Sequence, residues 1–142
     1  GRLNIAACSL GGAQAAFDIA LQYVGERRAF GSTLDGFQTI QFKLADMAMR
    51  LEAARVFLRQ AAWAFDNGRH DANKHCAMAK RFVTDVASDV ADDALQLLGG
   101  YGYLSDYGIE KIVRDLRVHR ILEGTNEVMQ MIIARDLLRN RQ

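Results

Sequence analysis

The chain has 142 residues, no proline and 12 glycines, and 18 Lys+Arg against 17 Asp+Glu leave a formal net charge of +1. Half of the residues are apolar and 25% are charged, which excludes a disordered or collagen-like chain, and the missing basic excess argues against a nucleic-acid binder. This length suits one domain with its own core, and the lack of proline points to long helices, because proline breaks helix interiors.

Taken in chain order, the apolar residues repeat at helical spacing. Leu3, Ala6, Leu10, Ala13, Phe17, Ala20 and Val24 step by three and four, so the spacing predicts a first helix that is in register from Leu3. The turn-forming residues Gly31, Ser32, Thr33, Asp35 and Gly36 break the pattern between Ala29 and Gly36. Ile40, Leu44, Met47, Leu51, Ala54, Leu58, Ala61 and Phe65 predict a second helix, ended by Asn67-Gly68. Asp71 is the expected cap of a third helix, with Cys76, Ala79, Val83, Val86, Val90 and Leu97 on one face. The run Gly99-Gly100-Tyr101-Gly102-Tyr103 closes that helix as a glycine-rich loop. A short fourth helix is expected over Ile109–Val118. Glu123-Gly124-Thr125-Asn126 is a second polar break, with Thr125 or Asn126 as N-cap, before a fifth helix from about Glu127 to Leu138. No strand pattern of period two competes. The expected fold is all-α: an up-down bundle of three long helices and two shorter ones, with neighbours antiparallel across short loops.

The chain begins Gly1-Arg2-Leu3 without methionine and contains no apolar run of about 18 residues. Neither a signal peptide nor a membrane span is therefore expected, and the start in register at Leu3 suggests a fragment of a longer protein. Cys8 and Cys76 have no motif spacing and are expected to be reduced, partly buried thiols of an intracellular protein.

Common site motifs are absent. His70, His75 and His119 have no Glu three residues before them, so no Glu-x-x-His di-iron pair exists. No Cys-x-x-Cys, His-Glu-x-x-His, phosphate-loop or Gly-x-Ser-x-Gly pattern occurs, and no metal site is expected. Glycines instead cluster with Arg, Gln, aromatic and acidic residues in the interhelical breaks.

Those breaks carry a resemblance. Glu26-Arg27-Arg28-Ala29-Phe30-Gly31, Phe37-Gln38, Leu44-Ala45-Asp46-Met47, Gln96 to Tyr103, Arg114-Asp115 and Ile121 to Val128 together resemble the acyl-CoA dehydrogenases in order and separation. The resemblance spans residues 1–142 as one domain, the C-terminal helical domain of such an enzyme, without its N-terminal helical and middle β domains. Leu44–Met47 and Arg114–Val128 look most like isobutyryl-CoA and other short- or branched-chain members.

The resemblance implies an FAD-dependent α,β-dehydrogenation of a short or branched acyl-CoA to the 2-enoyl-CoA. Glu123 matches the catalytic base, which must be positioned and partly desolvated to take a weakly acidic α-proton. A backbone N–H beside it would serve the thioester carbonyl as an oxyanion-hole donor. Gly124 and Leu122 would face substrate, as would Arg135 and Arg2 through the CoA part. Thr125, Asn126 and Glu127 would lie by the flavin. Arg27 matches an arginine on the FAD pyrophosphate of a neighbouring subunit, where a guanidinium pairs phosphate oxygens. Phe30, Phe37 and Gln38 would line that cofactor, with Leu34 and Ile40 as packing residues. Gln96, Leu97, Leu98, Gly99 and Gly100 match the stretch against the adenine end of FAD. Ala29 stands where the family often has a hydroxyl, and Gly108 where relatives often have proline. Taken alone, Glu123 reads as an exposed pre-cap residue, Arg27 as a helix-dipole partner, Thr125 as an N-cap and the glycine pair as a C-cap.

The implied partners are an acyl-CoA, an electron-transfer flavoprotein as acceptor and further copies of the chain in a dimer or tetramer. The implied compartment is intracellular, the bacterial cytoplasm before the mitochondrial matrix. The isolated fragment is expected to be inactive and to bind FAD poorly. Two other readings compete: a non-catalytic oligomerisation module from a degenerate relative, and an acyl-CoA oxidase. One subgroup carries its base on the first helix, at a position matching about Gly1, which has no side chain.

Overall fold

The computed structural model describes residues 1–139. Five helices make up the bundle: α1 (Arg2–Glu26), α2 (Gln38–Asp66), α3 (Ala72–Leu98), α4 (Ile109–His119) and α5 (Asn126–Arg139). The apolar stripes account for the three long ones. Ala6, Leu10, Ala13, Ala20 and Val24 of α1 are buried, as are Met47, Leu51, Ala54 and Ala61 of α2.

α3 departs from a one-faced helix. Ala77, Ala87, Ala91 and Ala94 are buried beside its stripe residues, and α1, α2, α4 and α5 all pack on it. Alanine at the positions between the stripe residues lets helices approach from several directions, so α3 becomes the axis of the bundle. Because α2 returns antiparallel, α1 and α3 run in the same direction. Arg2 at the start of α1 bonds Asn73 at the start of α3, and Tyr23 near its end meets Tyr101 just past the end of α3. α5 runs against α3: Asn126 bonds Thr84, while Asp136 pairs with Lys74 at 2.8 Å.

Local details differ from the sequence expectation in four places. First, Arg28–Ala29 and Ser32–Thr33 form a minimal antiparallel hairpin around Phe30-Gly31, both at positive φ, a feature too short to leave a period-two signal. Second, Asp71 occupies the N-cap of α3 but makes no side-chain cap bond. Its carboxylate instead accepts from Arg69 Nε and Nη2 at 2.9 and 2.8 Å, a charge-assisted fork that outcompetes a single amide donor. Third, the glycine-rich segment is a 3-10 turn over Gly99–Tyr103. Fourth, Cys8 is exposed, whereas Cys76 is buried and both are free.

That 3-10 turn needs glycine at one position. A Cβ on Gly102 would lie 2.6 Å from the Leu95 backbone oxygen and 3.0 Å from Leu98 Cβ. Neither neighbour is a flexible tip, so Gly102→Ala is expected to cost about 1–3 kcal/mol, as overpacking of tight interiors does, read as a lower Tm of the full-length protein. An unchanged Tm would mean that the turn shifts freely.

Candidate active site

The candidate residues separate into two groups at opposite ends of α1 and α3. α1 has 25 residues, so at 1.5 Å per residue the groups stand about 37 Å apart.

At the end where α1 and α3 terminate, Arg27, Gln96, Leu97, Leu98, Gly99 and Gly100 share one open cavity of about 480 Å³ with Tyr23, Leu34, Tyr101 and Leu104. Tyr101 is a contributor that the sequence reading placed in the motif but not in the site. Its ring lies 5.3 Å from the Arg27 guanidinium carbon, within cation–π range, and packs on Tyr23 and Tyr107 at 6.4 and 5.3 Å between centroids. The aromatic cluster holds the arginine at the cavity mouth. Leu97 and Leu98 are 7% and 2% exposed, so their side chains belong to the core and form only the cavity floor. Gly99 (φ +59) ends α3 in the left-handed region, and nothing would touch a Cβ on Gly99 or Gly100, which leaves their backbone open. Phe30 is 97% exposed at the hairpin tip and stacks edge-on with Phe37 at 6.4 Å. Gln38, the first residue of α2, is exposed.

The other group surrounds Glu123. Glu123 (φ +58) and Gly124 (φ +89) are consecutive left-handed residues between α4 and α5. For the glutamate this conformation costs on the order of 1–3 kcal/mol, the kind of strain found at functional sites. Gly124 is favoured by its φ, and a Cβ there would also meet Met129 Cε at 2.8 Å, the tip of a flexible side chain. The turn sends the Glu123 side chain across to the start of α1. A Cβ built on Gly1 would lie 2.5 Å from Glu123 Cδ, so the carboxylate fills the space that a side chain at position 1 would need. The two positions that the sequence reading weighed for a base, Glu123 and Gly1, thus meet at one place in the fold, and the Glu123 carboxylate fills it. Glu123 itself is exposed on this chain. The expected partial desolvation does not come from these five helices.

Hydrogen bonding fixes the surrounding loop. Ile121 and Leu122 N–H both donate to Val118 O at 2.8 and 3.1 Å, and Asn126 N–H donates to Arg120 O at 3.0 Å. Among the described residues the Glu123 N–H has no acceptor. Thr125 is the N-cap of α5, its hydroxyl accepting from Val128 N–H at 3.4 Å. Glu127 is held below the usual carboxylate range by its own backbone N–H and then by the Thr125 hydroxyl. Asn126 differs from the expectation of a cofactor contact. It is 7% exposed, and its amide is consumed within the protein: Nδ2 donates to Thr84 Oγ1 at 3.0 Å and Asp85 Oδ1 at 2.9 Å, and Oδ1 accepts from Lys80 Nζ at 2.8 Å.

Lys80, like Tyr101, is absent from the site as read from the sequence. It is 0% exposed, and its ammonium also donates to Gly124 O at 2.8 Å. Burial pushes its pKa down, opposed by the charges of Asp85, Glu127 and Glu123. The signal was available, because Lys80 sits four residues after Cys76 and three before Val83, on the apolar face. Nearby, Ser9 Oγ donates to Ile5 O at 2.7 Å and lies 2.8 Å from His119 Nδ1, and burial lowers the His119 pKa.

The remaining substrate-side candidates stand at this end too. Arg2 is anchored, donating to Asn73 O and Oδ1 at 3.2 and 2.7 Å. It lines an open cavity of about 460 Å³ with Gly1, Arg69, His70 and Cys76. Leu122 is 43% exposed. Arg135 is exposed on α5, one residue before Asp136, which pairs with Lys74.

The family model for the C-terminal domain of acyl-CoA dehydrogenase matches residues 1–138. The chain belongs to the acyl-CoA dehydrogenase family. It is 53% identical over 96% of its length to the mitochondrial isobutyryl-CoA dehydrogenase of Dictyostelium discoideum, and 52% identical over 97% to that of Bos taurus. Each alignment covers 33% of the relative, so the chain spans about a third of the length of these acyl-CoA dehydrogenases. The solved butyryl-CoA dehydrogenase of Megasphaera elsdenii superposes with a TM-score of 0.93 at 43% identity, covering 97% of this chain and 36% of that one. The all-α reading of the sequence agrees with this helical domain. Membership of the family implies a flavin cofactor. Among the described residues no helix is long and apolar enough to cross a membrane.

Proposed function

We propose that residues 1–142 are the C-terminal helical domain of a larger FAD-dependent acyl-CoA dehydrogenase that oxidises a short or branched acyl-CoA to its 2-enoyl-CoA. The observation that carries the reading is the left-handed Glu123-Gly124 turn, which aims a carboxylate over the start of α1 beside Arg2.

In this reading Glu123 is the base. The α C–H bond breaks, its proton passes to a carboxylate oxygen, and the electron pair enters the forming C=C bond as the β-hydrogen departs. The FAD, when bound, supplies the acceptor for that hydrogen and its electron pair. The unused Glu123 N–H is suited to the thioester oxygen, where negative charge grows as the α-proton leaves. Arg2 and Arg135 are assigned to the CoA part, and Leu122 and Gly124 to the acyl side. Thr125 and Glu127 lie at the start of α5 on the flavin side. Exclusion of water from Glu123 falls to the rest of the enzyme, because these helices leave the residue open.

The cavity at the other end suits a dinucleotide. It offers an arginine on an aromatic ring, a glutamine, and glycine backbone that a ligand can approach closely. Phe30, Phe37 and Gln38 are assigned to the same cofactor from the hairpin side, and Leu97 and Leu98 line the cavity. Because about 37 Å separates it from Glu123, one FAD cannot engage both groups of one chain. Arg27, Gln96, Gly99 and Gly100 are therefore assigned to the cofactor of a second copy, which supports a homodimer or a higher homo-oligomer. An electron-transfer flavoprotein is the proposed acceptor.

The test is anaerobic titration of the full-length protein. Isobutyryl- or butyryl-CoA is expected to bleach the flavin's visible absorption in stoichiometric amounts. Absence of bleaching with every short and branched acyl-CoA would overturn the proposal, and fast bleaching with reoxidation by oxygen alone would move it to the oxidases.

A further inference from the structure

A buried lysine stands directly beneath the Glu123 turn, and nothing in the proton abstraction described above uses it. Lys80 is the one charged residue among the fully buried side chains of the described core. A lysine is seldom fully buried unless it is paired, yet this one has no ion pair with any carboxylate among the described residues. It is satisfied by the Gly124 carbonyl and the Asn126 amide oxygen, both at 2.8 Å. These two acceptors bracket Thr125, so a single ammonium ties the residue after Glu123 and the first residue of α5 to the middle of α3. Asn126 is locked in turn by Thr84 and Asp85.

The consequence for Glu123 is geometric. The Gly124 carbonyl, which belongs to the Gly124–Thr125 peptide, is drawn inward toward α3, so the chain is pinned directly after its two left-handed residues. In the same turn the Glu123 N–H has no acceptor among the described residues, and the carboxylate reaches toward Gly1. Released from the lysine, a glutamate would relax out of the left-handed region, because its Cβ is disfavoured there.

We propose that Lys80 is a positioning residue for catalysis: through its bond to the Gly124 carbonyl it holds the Glu123 backbone in the left-handed turn that presents both the carboxylate and the N–H to the thioester. Lys80 does not touch substrate or flavin. The proposal rests on the assignment of Glu123 as base.

The experiment uses the full-length, FAD-loaded enzyme and an acyl-CoA analogue that cannot lose its β-hydrogen, so that proton abstraction is read without redox turnover. The readout is exchange of the α-proton with D2O, followed by NMR, together with the dissociation constant of the analogue. Lys80→Met keeps the length and apolar stem of the side chain and removes its donors. The expected result is a loss of α-exchange of about 100-fold, the scale set by an ångström of misplacement, with analogue affinity within about threefold. Lys80→Gln, neutral and too short to span both acceptors, is expected to lose about tenfold. This variant carries the test where Lys80→Met does not fold. Wild-type exchange in either folded, flavin-loaded variant overturns the proposal, and so does weaker binding with unchanged exchange. Glu123→Gln separates the two layers. If it exchanges like wild type, the base assignment itself fails. If it is silent while the Lys80 variants exchange normally, only the role of Lys80 fails.

Discussion

Glu123→Gln in the full-length enzyme is expected to lower the rate of flavin reduction by acyl-CoA by between about 10² and 10⁴, the range that a positioned general base supplies. The amide keeps the shape of the side chain and accepts hydrogen bonds, but it cannot take the α-proton. The exposed position of Glu123 and its separation from the aromatic cavity that holds Arg27 mean that the substitution disturbs neither core packing nor the proposed dinucleotide contacts. The visible absorption of bound FAD should therefore be unchanged and acyl-CoA affinity nearly so. Rapid mixing under anaerobic conditions measures the rate. Bleaching of the variant at the wild-type rate would remove Glu123 from the chemistry.

The second large effect concerns stability. Asp93 on α3 accepts from Lys43 and Arg50 of α2, each at 2.6 Å. Arg50 also pairs with Asp46 at 2.9 Å. The Asp93 side chain is 23% exposed and those of Lys43 and Arg50 are 37% and 27% exposed. This is a partly buried triad whose central carboxylate bridges two cations, with Asp46 supplying the second negative charge on Arg50. Asp93→Ala leaves both cations of α2 without their partner on α3, and Arg50 keeps only Asp46. Breaking a fully buried pair costs about 3–5 kcal/mol, and the residual exposure reduces that to about 2–3 kcal/mol. The Tm of the full-length protein should fall by several degrees. Its pH dependence follows from the same contacts. Burial pushes the Asp93 carboxyl upward, but the hydrogen bonds and charges of Lys43 and Arg50 together hold it below its ordinary value. The unfolded chain then binds the proton more readily than the folded one, so the contribution is present above the ordinary carboxylate value of about 4. It is lost as pH falls through the lower folded value. Wild type should lose stability in that acid window, and Asp93→Ala should show a flatter profile there. Parallel profiles would mean that the triad is not coupled to folding.

The two groups of candidate residues were legible to different degrees. Glu123-Gly124-Thr125 is contiguous, and its glycine, threonine and acidic residue express a local turn, so the sequence identifies the break and offers Thr125 or Asn126 as its cap, a choice that the Val128 N–H bond to Thr125 makes. The Arg27 cluster joins residues about 70 or more positions apart. Only the parallel course of α1 and α3 brings Arg27 over Tyr101. Asn126 reads locally as a polar residue at a site, but its amide is spent on Lys80, Thr84 and Asp85. Asp71 reads as a cap, but Arg69 takes its carboxylate. In both cases a charged or polar partner that the local pattern ignores forms the stronger bond.

By itself the sequence determined the helices, the breaks between them and the residue types gathered in those breaks. Helical periodicity and turn chemistry act over a few residues, and they are written along the chain. Tertiary structure alone decided that Glu123 lies against Gly1, that Arg27 stands at the far end of the bundle from it, and that a buried ammonium holds the turn between α4 and α5. Those facts depend on which helices run parallel and which side chains they bury together, and the apolar spacing of each helix taken singly is the same whichever neighbour it faces.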